Sequence, residues 1–362
     1  MTRLHLLQPE QRAEWMDVLK QSFQHDFYYL PAYHALAEEQ GEGRAHLFVY
    51  REGNDFVAIP LLLRPIEAAP GLARVGEGWW DATSVYGYAG PIASHADLPA
   101  SVLRNFRSAL REALQERHIV AVFSRLHPLI PQPELLSGLG ECTPMGQTVS
   151  IDLTLPVDVQ RARYRKNHKR DINKLRRLGV TCLHDQDGAY LNEFINIYYE
   201  NMHRLNASGK YLFEHSYFEK LASTLESRVH LFVCSLESKA ICGGLFLLCD
   251  GIVQYHLGAA RNDFLELAPM KLLLDAVRLW ANRHEAHVFH LGGGVEAQED
   301  SLFHFKAGFS DQRHEFAIWR WVLLPDIYDP LCQEKAQWNK RNGLKPVSAE
   351  YFPAYRCPTV PT

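Results

Sequence analysis

Apolar residues follow helical and strand periods in alternation along this chain, and their order predicts an α/β protein built from two similar halves. Residues 9–23 carry helical spacing and end in an aromatic knot at 25–33. A second helix is expected from Pro31, because proline suits a first helical turn. Strands are predicted over 45–51 and 55–64, joined by Glu52-Gly53-Asn54 as a hairpin. The aromatic, glycine-rich stretch 79–91 reads as a loop or edge strand. Val102, Phe106, Ala109 and Ala113 share one face of a helix over 98–115. Strands at 119–126 and 148–153 close the first half.

The second half follows the same logic. A helix is predicted over 157–178, stopping at Gly179, with further helices over 190–204 and 216–225. Strands over 229–237, 240–249 and 252–258 form a meander. Pro269 opens a helix reaching 282, and strands follow at 286–291 and 316–324. The repeat is one of architecture, with little residue identity between halves. Clefts form where two such modules meet. The proline-rich tail, 326–362, is expected to be a strap over the surface.

Length and composition bound the class. The 362 residues suffice for two domains, and 47% hydrophobic with 22% charged residues is a globular balance. The first ten residues lack the basic and apolar regions of a signal peptide, and no apolar run could span a bilayer. Seven cysteines without a Cys-x-x-Cys pair read as free thiols, so a cytoplasmic location is expected. The histidines, among them His168, His203, His256, His290 and His304, show no ligand spacing, so no metal is expected. No Gly-x-Ser-x-Gly elbow is present.

Charge is distributed unevenly. The net charge is −4, yet 161–177 holds nine Lys or Arg and one acid, Asp171. Ala162, Tyr164, Ile172, Leu175 and Leu178 form the apolar side of this helix. Arg165, Lys166, Lys169 and Arg170 remain around it as a solvated face or as a phosphate-contact surface. A strand-loop-helix unit at 252–282 places Arg261 before a helix N-terminus, a second position suited to phosphate.

The most distinctive stretch is His290-Leu-Gly-Gly-Gly294, followed by Phe305-Lys306-Ala-Gly308-Phe309. Glycines allow sharp turns and close approach, and a lysine held among aromatics can face a developing negative charge. The plain alternative is a strand-turn-strand with a surface lysine. His290, His304 and Asp300 are the proton acceptors nearest in sequence, and none stands out as a general base.

Together these elements resemble the Fem-type aminoacyltransferases and the wider Fem-like GNAT acyltransferases. The resemblance lies in Tyr164-Arg-Lys-Asn-His-Lys-Arg170 with Arg176-Arg-Leu-Gly179, in Cys242-Gly-Gly244, and in Gln254-Tyr255-His-Leu-Gly-Ala259. It continues in Leu267-Ala-Pro269, in the strand to Gly292, and most specifically in Phe305-Lys306 before Gly308-Phe309. It covers roughly residues 155–321 and reaches the first half only through 25–33.

The resemblance implies tandem GNAT-like domains, each a mixed, mostly antiparallel sheet flanked by helices. These would be 1–154 and a catalytic 155–325, followed by the tail. It implies that Lys306 stabilises charge as an amine attacks an aminoacyl ester, that Phe305 positions it, and that Tyr255 contacts the acceptor. Tyr198, Tyr199, Arg204, Lys210 and Tyr211 would belong to the acceptor pocket, and His25, Tyr28 and Tyr33, with Trp79, Trp80 and Asp81, are candidates for a binding wall from the first half or for its core. The donor implied is aminoacyl-tRNA, with no tightly bound cofactor. The acceptor implied is an amine-bearing cell-wall precursor such as a peptidoglycan precursor, with peripheral membrane contact among the partners.

Two departures matter. The loop 259–268 contains no glycine, unlike the pyrophosphate loop of coenzyme-A-dependent members. No long charged helical hairpin is inserted either. Two alternatives stay open: an acyl-coenzyme-A-dependent enzyme of polysaccharide or small-molecule biosynthesis, and a non-catalytic RNA- or nucleotide-binding scaffold.

Overall fold

The computed structural model describes residues 4–130, 132–207, 211–348 and 350–361. Packing divides the chain into two compact units, Met1–Met145 with Phe316–Thr362, and Gly146–Glu315.

The chain begins with β1 (Leu4–Leu7), α1 (Arg12–Gln21), α2 (Pro31–Glu39), β2 (Arg44–Glu52), β3 (Asp55–Pro65), β4 (Trp80–Thr83) and β5 (Ile92–Ala93). It continues with α3 (Ala100–Gln115), β6 (Ile119–Arg125) and β7 (Glu141–Asp152). The expected hairpin is β2–β3, with Glu52 opposite Asp55. The stretch expected to be a loop or edge strand contributes β4, which lies inside the sheet, antiparallel to β3 and parallel to β6. Its Asp81 explains the placement. The carboxylate is fully buried and takes Arg64 and Arg356, each at 2.7 Å, so polar sequence here is satisfied from within the unit.

Next come α4 (Val157–Ala162), α5 (Lys166–Arg177), β8 (Thr181–Asp185), α6 (Leu191–Arg204), α7 (His215–Leu225), β9 (Val229–Leu236), β10 (Lys239–Cys249) and β11 (Ile252–Ala260). Then follow α8 (Met270–Arg283), β12 (Val288–Gly292), α9 (Ser301–Lys306), β13 (Gln312–Val322) and α10 (Pro325–Arg341). The meander turns are tight. Glu237 and Ser238 join β9 to β10, and Asp250 and Gly251 join β10 to β11, all four with positive φ. Two such residues match the twist that a two-residue hairpin requires.

Each unit has the same pairing sequence. In the first, β1, β2, β3 and β4 run antiparallel, β6 joins β4 in parallel, and β13 joins β6 antiparallel. In the second, β8, β9, β10 and β11 run antiparallel, β12 joins β11 in parallel, and β7 joins β12 antiparallel. The architecture is therefore the expected mixed, mostly antiparallel sheet, made twice.

The closing strand of each sheet comes from the other half of the sequence. The expected segments 1–154, 155–325 and 326–362 therefore do not coincide with the packed units. Strand β7 hydrogen-bonds through Val149–Asp152 in the second unit, and β13 through Ile318–Val322 in the first. The tail is also not a simple strap. It begins with α10, a helix of 17 residues, whose Leu331 packs beside Tyr355.

The basic helix expected over 157–178 is two helices. Arg165 is extended (φ −57°, ψ 149°), and its N–H donates to the Gly308 carbonyl (2.8 Å) rather than to the preceding turn. In the second unit, Ile172 and Leu175 of α5, Leu273, Val277 and Trp280 of α8, and Phe232, Phe246 and Phe289 of the sheet share one core. Helix α6 covers the opposite face. A Cβ at Gly243 would approach Phe194 to 2.8 Å, so glycine lets the helix lie directly on β10. Among the described residues no helix is long and apolar enough to cross a membrane.

Candidate active site

Strands β11 and β12 pair in parallel only from Ile252 to Gln254 and from Val288 to His290. Strand β11 then runs on to Ala260 and β12 to Gly292 as the two part. Tyr255 is the first residue of β11 beyond the paired segment. Its ring stacks on Phe246, with centroids 5.4 Å apart and planes 21° from parallel. A bulge between Leu245 and Phe246 shifts the register here, as bulges do where a sheet is re-aimed.

Lys306 reaches this place from a helix, not from the loop between strands that the sequence suggests. Asp300 caps α9 by accepting from the Phe303 N–H (2.9 Å), and its second oxygen accepts from Val295 N–H (3.1 Å). One carboxylate thus joins the glycine turn to the lysine helix. The Lys306 side chain is buried. Its Nζ donates to the Gly293 carbonyl (2.7 Å) and lies 5.6 Å from the centre of the Tyr255 ring. Gly292 turns at φ +76°, and a Cβ there would stand 3.3 Å from Nζ.

Burial lowers the Lys306 pKa to about 8, and nearby Asp300 works in the opposite direction. The ammonium has three N–H donors, and Gly293 uses one. What results is a desolvated cation with donor capacity to spare, beside an aromatic face, where two strands part.

The start of α5 is fastened to the end of α9. Arg165 donates through its backbone to Gly308 and through Nη1 to the His304 carbonyl (3.2 Å). The His168 Nε2–H donates to the Phe305 carbonyl (2.9 Å), and the His168 ring meets Phe309 edge-on at 4.7 Å. Gly308 has to be glycine, since a Cβ there would fall inside the His168 imidazole. Burial lowers the His168 pKa to about 4. Sequence reasoning passed over His168. The available signal was its position, four and seven residues before Ile172 and Leu175 on the buried stripe of α5.

The remaining basic residues divide by role. Asp275, fully buried, takes Arg176 (2.7 Å), Arg161 (3.1 Å), Arg278 (3.0 Å) and the Tyr164 hydroxyl (3.1 Å). Lys271 pairs with Asp171 at 2.6 Å. Lys166 and Arg170 are exposed, while Lys169 donates to Ala162 O at 2.8 Å. Arg170, Asn173, Arg176 and Arg177 line an open depression.

Arg261 is held differently from the phosphate ligand expected. It pairs with Glu193 (3.0 Å) and Glu200 (3.6 Å) and donates to Ala240 O (2.7 Å), so its charge is already met. The first turn of α8 is also engaged, with Lys271 N–H on Ala268 O and Leu272 N–H on Pro269 O, both at 3.0 Å.

Of the other expected positions, Arg204 ends α6 and donates to Asn201 (2.7 Å). The Tyr211 carbonyl accepts from the Tyr198 hydroxyl (2.6 Å). Lys210 lies outside the described residues. Tyr28 and Tyr33 are buried in the first unit among Phe27, Tyr88 and His127. The Tyr33 hydroxyl donates to Tyr86 O (3.0 Å), so both tyrosines belong to that unit's core. His290 is buried with Nδ1 2.6 Å from Gln254 Oε1, Asp300 serves as a helix cap, and His304 is exposed. Structure therefore brings together Lys306, Phe305, Tyr255, Arg165 and His168.

Comparison with known proteins agrees with the fold. Residues 162–306 match the model of the acetyltransferase (GNAT) domain. No curated protein sequence matches the chain. Among solved structures, FemX superposes with a TM-score of 0.68 at 13% identity, covering 90% of this chain and 99% of FemX. L-PGS from Bacillus licheniformis gives 0.56 at 14% identity, over 87% and 93% of the two chains. The C-terminal domain of an Agrobacterium fabrum protein named as a lysylphosphatidylglycerol synthetase gives 0.52 at 15%, over 86% and 91%. At such identities the likeness is one of fold.

Proposed function

We propose that this chain, a Fem-like GNAT protein with an acyltransferase domain in its second unit, transfers an aminoacyl group from aminoacyl-tRNA to the amine of a cell-wall precursor. The observation that carries the reading is Lys306, a desolvated ammonium set at the parting of two parallel strands against Tyr255. An aminoacyl ester is already activated, so catalysis reduces to orientation and stabilisation of the oxyanion. The acceptor amine attacks the ester carbonyl, and charge builds on oxygen within reach of the Nζ donors left free by Gly293. The ester C–O bond then breaks, the departing tRNA alkoxide takes the proton that the attacking amine gives up, and an amide remains. Phe305 positions the lysine, and Tyr255 offers its ring to the acceptor.

The exposed basic face of α5, with Arg165, Lys166 and Arg170, supports a polyanionic donor, because phosphate contacts need charge rather than a shaped pocket. A peptidoglycan precursor is the acceptor that the resemblance to the Fem-type aminoacyltransferases implies. Acyl-coenzyme A is the second donor, favoured by the match of 162–306 to an acetyltransferase model. The filled first turn of α8 and the ion-paired Arg261 weigh against a pyrophosphate there.

The test offers purified protein labelled aminoacyl-tRNA and labelled acetyl-coenzyme A separately, each with a mixed pool of bacterial amine acceptors. Label moving from tRNA, and absent with Lys306→Ala, is the expected result. Transfer only from coenzyme A replaces the donor. Salt-sensitive RNA binding with no transfer from either would sink the enzyme reading in favour of a binding scaffold.

A further inference from the structure

We propose that His168 is a positioning residue for Lys306, holding the last turn of α9 by its hydrogen bond to the Phe305 carbonyl and joining that turn to the start of the basic helix. The proposal rests on the acyl-transfer reading for its purpose, but its geometry stands apart from it.

A helix of six residues has little stability of its own, because nucleation costs more than so few hydrogen bonds return. Its two ends must therefore be held from outside. Asp300 holds the first turn. At the other end the chain closes the last turn itself, with Gly308 N–H on Phe305 O (3.1 Å) and Phe309 N–H on Lys306 O (3.0 Å), and further partners come from outside the helix. Three of the carbonyls at this end are taken by α5 and the residue before it: His304 O by Arg165 Nη1, Phe305 O by His168 Nε2, and Gly308 O by Arg165 N. The middle of these belongs to the residue immediately before Lys306. A shift of that carbonyl rotates the lysine about the helix axis and moves Nζ away from Gly293 and Tyr255.

The donor in the middle is suited to a fixed part. His168 is almost fully buried, and Phe309 packs edge-on against its ring. Its backbone N–H donates to Asn167 Oδ1 (2.9 Å), which fixes the residue at the start of α5. The charged groups around it are Arg165 and Lys271, which oppose a proton, and Asp171, which favours one. With burial the dominant influence, the ring stays neutral at physiological pH and the hydrogen bond does not titrate away. Arg165 is different. Its guanidinium is on the surface, so an anion bound there competes with the His304 carbonyl, while His168 keeps the lysine in place.

The experiment follows the Lys306 amine by competitive labelling with acetic anhydride from neutral to alkaline pH, reading the peptide by mass spectrometry. Wild-type protein should label with a midpoint near 8. In His168→Ala the loosened helix lets water reach Nζ, and the midpoint should rise by about one unit or more, a tenfold change in proton affinity. His168→Gln, whose amide N–H can donate to the same carbonyl, should restore the wild-type midpoint. Gly308→Ala, whose methyl displaces the imidazole, should repeat the alanine effect.

In the transfer assay His168→Ala should lower kcat by about tenfold to a hundredfold with the acceptor KM unchanged. An unshifted midpoint in folded His168→Ala, checked by circular dichroism, would overturn the proposal. If that variant does not fold, an unshifted midpoint in Gly308→Ala does so instead. Because labelling needs no substrate, a shifted midpoint in a protein that transfers nothing would uphold the positioning role and remove only the acyl-transfer reading.

Discussion

The Lys306 ammonium stands 5.6 Å from the centre of the Tyr255 ring, and that ring is itself stacked on Phe246. A cation over an aromatic face is attracted to the ring quadrupole, and the attraction grows as water is excluded. Here it helps offset the burial of a charge whose carbonyl partner, Gly293, is neutral.

Replacing Lys306 by Met separates function from stability. The variant should transfer about a hundredfold or more slowly, the usual scale for removing an oxyanion donor. It should melt no lower than wild type near pH 7, because the buried charge is a cost to folding that methionine lacks. A rate within about twofold of wild type in a labelled-transfer assay would take Lys306 out of the reaction.

The pH dependence has two signs. If the reaction needs cationic Lys306, the rate should fall as pH rises through about 8. Stability should move the other way. The folded state holds fewer protons on this group than the unfolded state between about 8 and the ordinary lysine value of 10.5, so its contribution to stability rises across that window. Denaturation midpoints of wild type and Lys306→Met, compared at several alkaline pH values, should therefore converge as pH increases.

Asp275 is structural, and its removal should be costly. Asp275→Asn leaves Arg278 buried and unpaired and frees Arg161 and Arg176 from α8. Removing one partner from a buried ion pair costs about 3–5 kcal/mol. Urea unfolding should show a decrease of that order. A decrease below about 1 kcal/mol would mean that the arginines carry no more than a surface pair does.

The exposed basic residues should behave in the opposite way. Charge reversal at Lys166 and Arg170 should leave the melting temperature nearly unchanged while weakening RNA binding. For every side chain that no longer meets a phosphate, the slope of log affinity against log salt should become shallower by about one. Arg261→Ala, which breaks pairs with Glu193 and Glu200, should destabilise the fold and leave the slope as it was.

Gly292→Ala tests the turn beneath the lysine. The position has φ +76°, which an L side chain adopts at a cost of about 1 kcal/mol or more, and the new methyl would press on Nζ. Transfer should fall more than stability does, measured as kcat against thermal midpoint in the same preparation.

The linear sequence by itself determined many of the elements and the doubled architecture. Strand periods at 45–51 and 55–64, the turns at Gly53 and Gly251, and the caps at Pro31 and Gly179 are local signals. Local backbone preference acts over a few residues and can be read there. The pairing of Phe305 with Lys306 beside Gly308 was equally visible. Tertiary structure alone decided what depends on distant partners. Strand β4 looked like a loop or edge strand because Asp81 meets Arg64 and Arg356 only in the fold, the latter from far along the chain. The basic helix looked uniform, yet Asp275 claims Arg161 and Arg176, and Gly308 breaks it at Arg165. Closure of each sheet by a strand from the opposite half, and the hold of His168 on Phe305, arise from contacts between residues more than a hundred positions apart. Periodicity carries no record of such pairs, because a hydrogen bond is specified by where the chain brings two groups and not by the neighbours of either one.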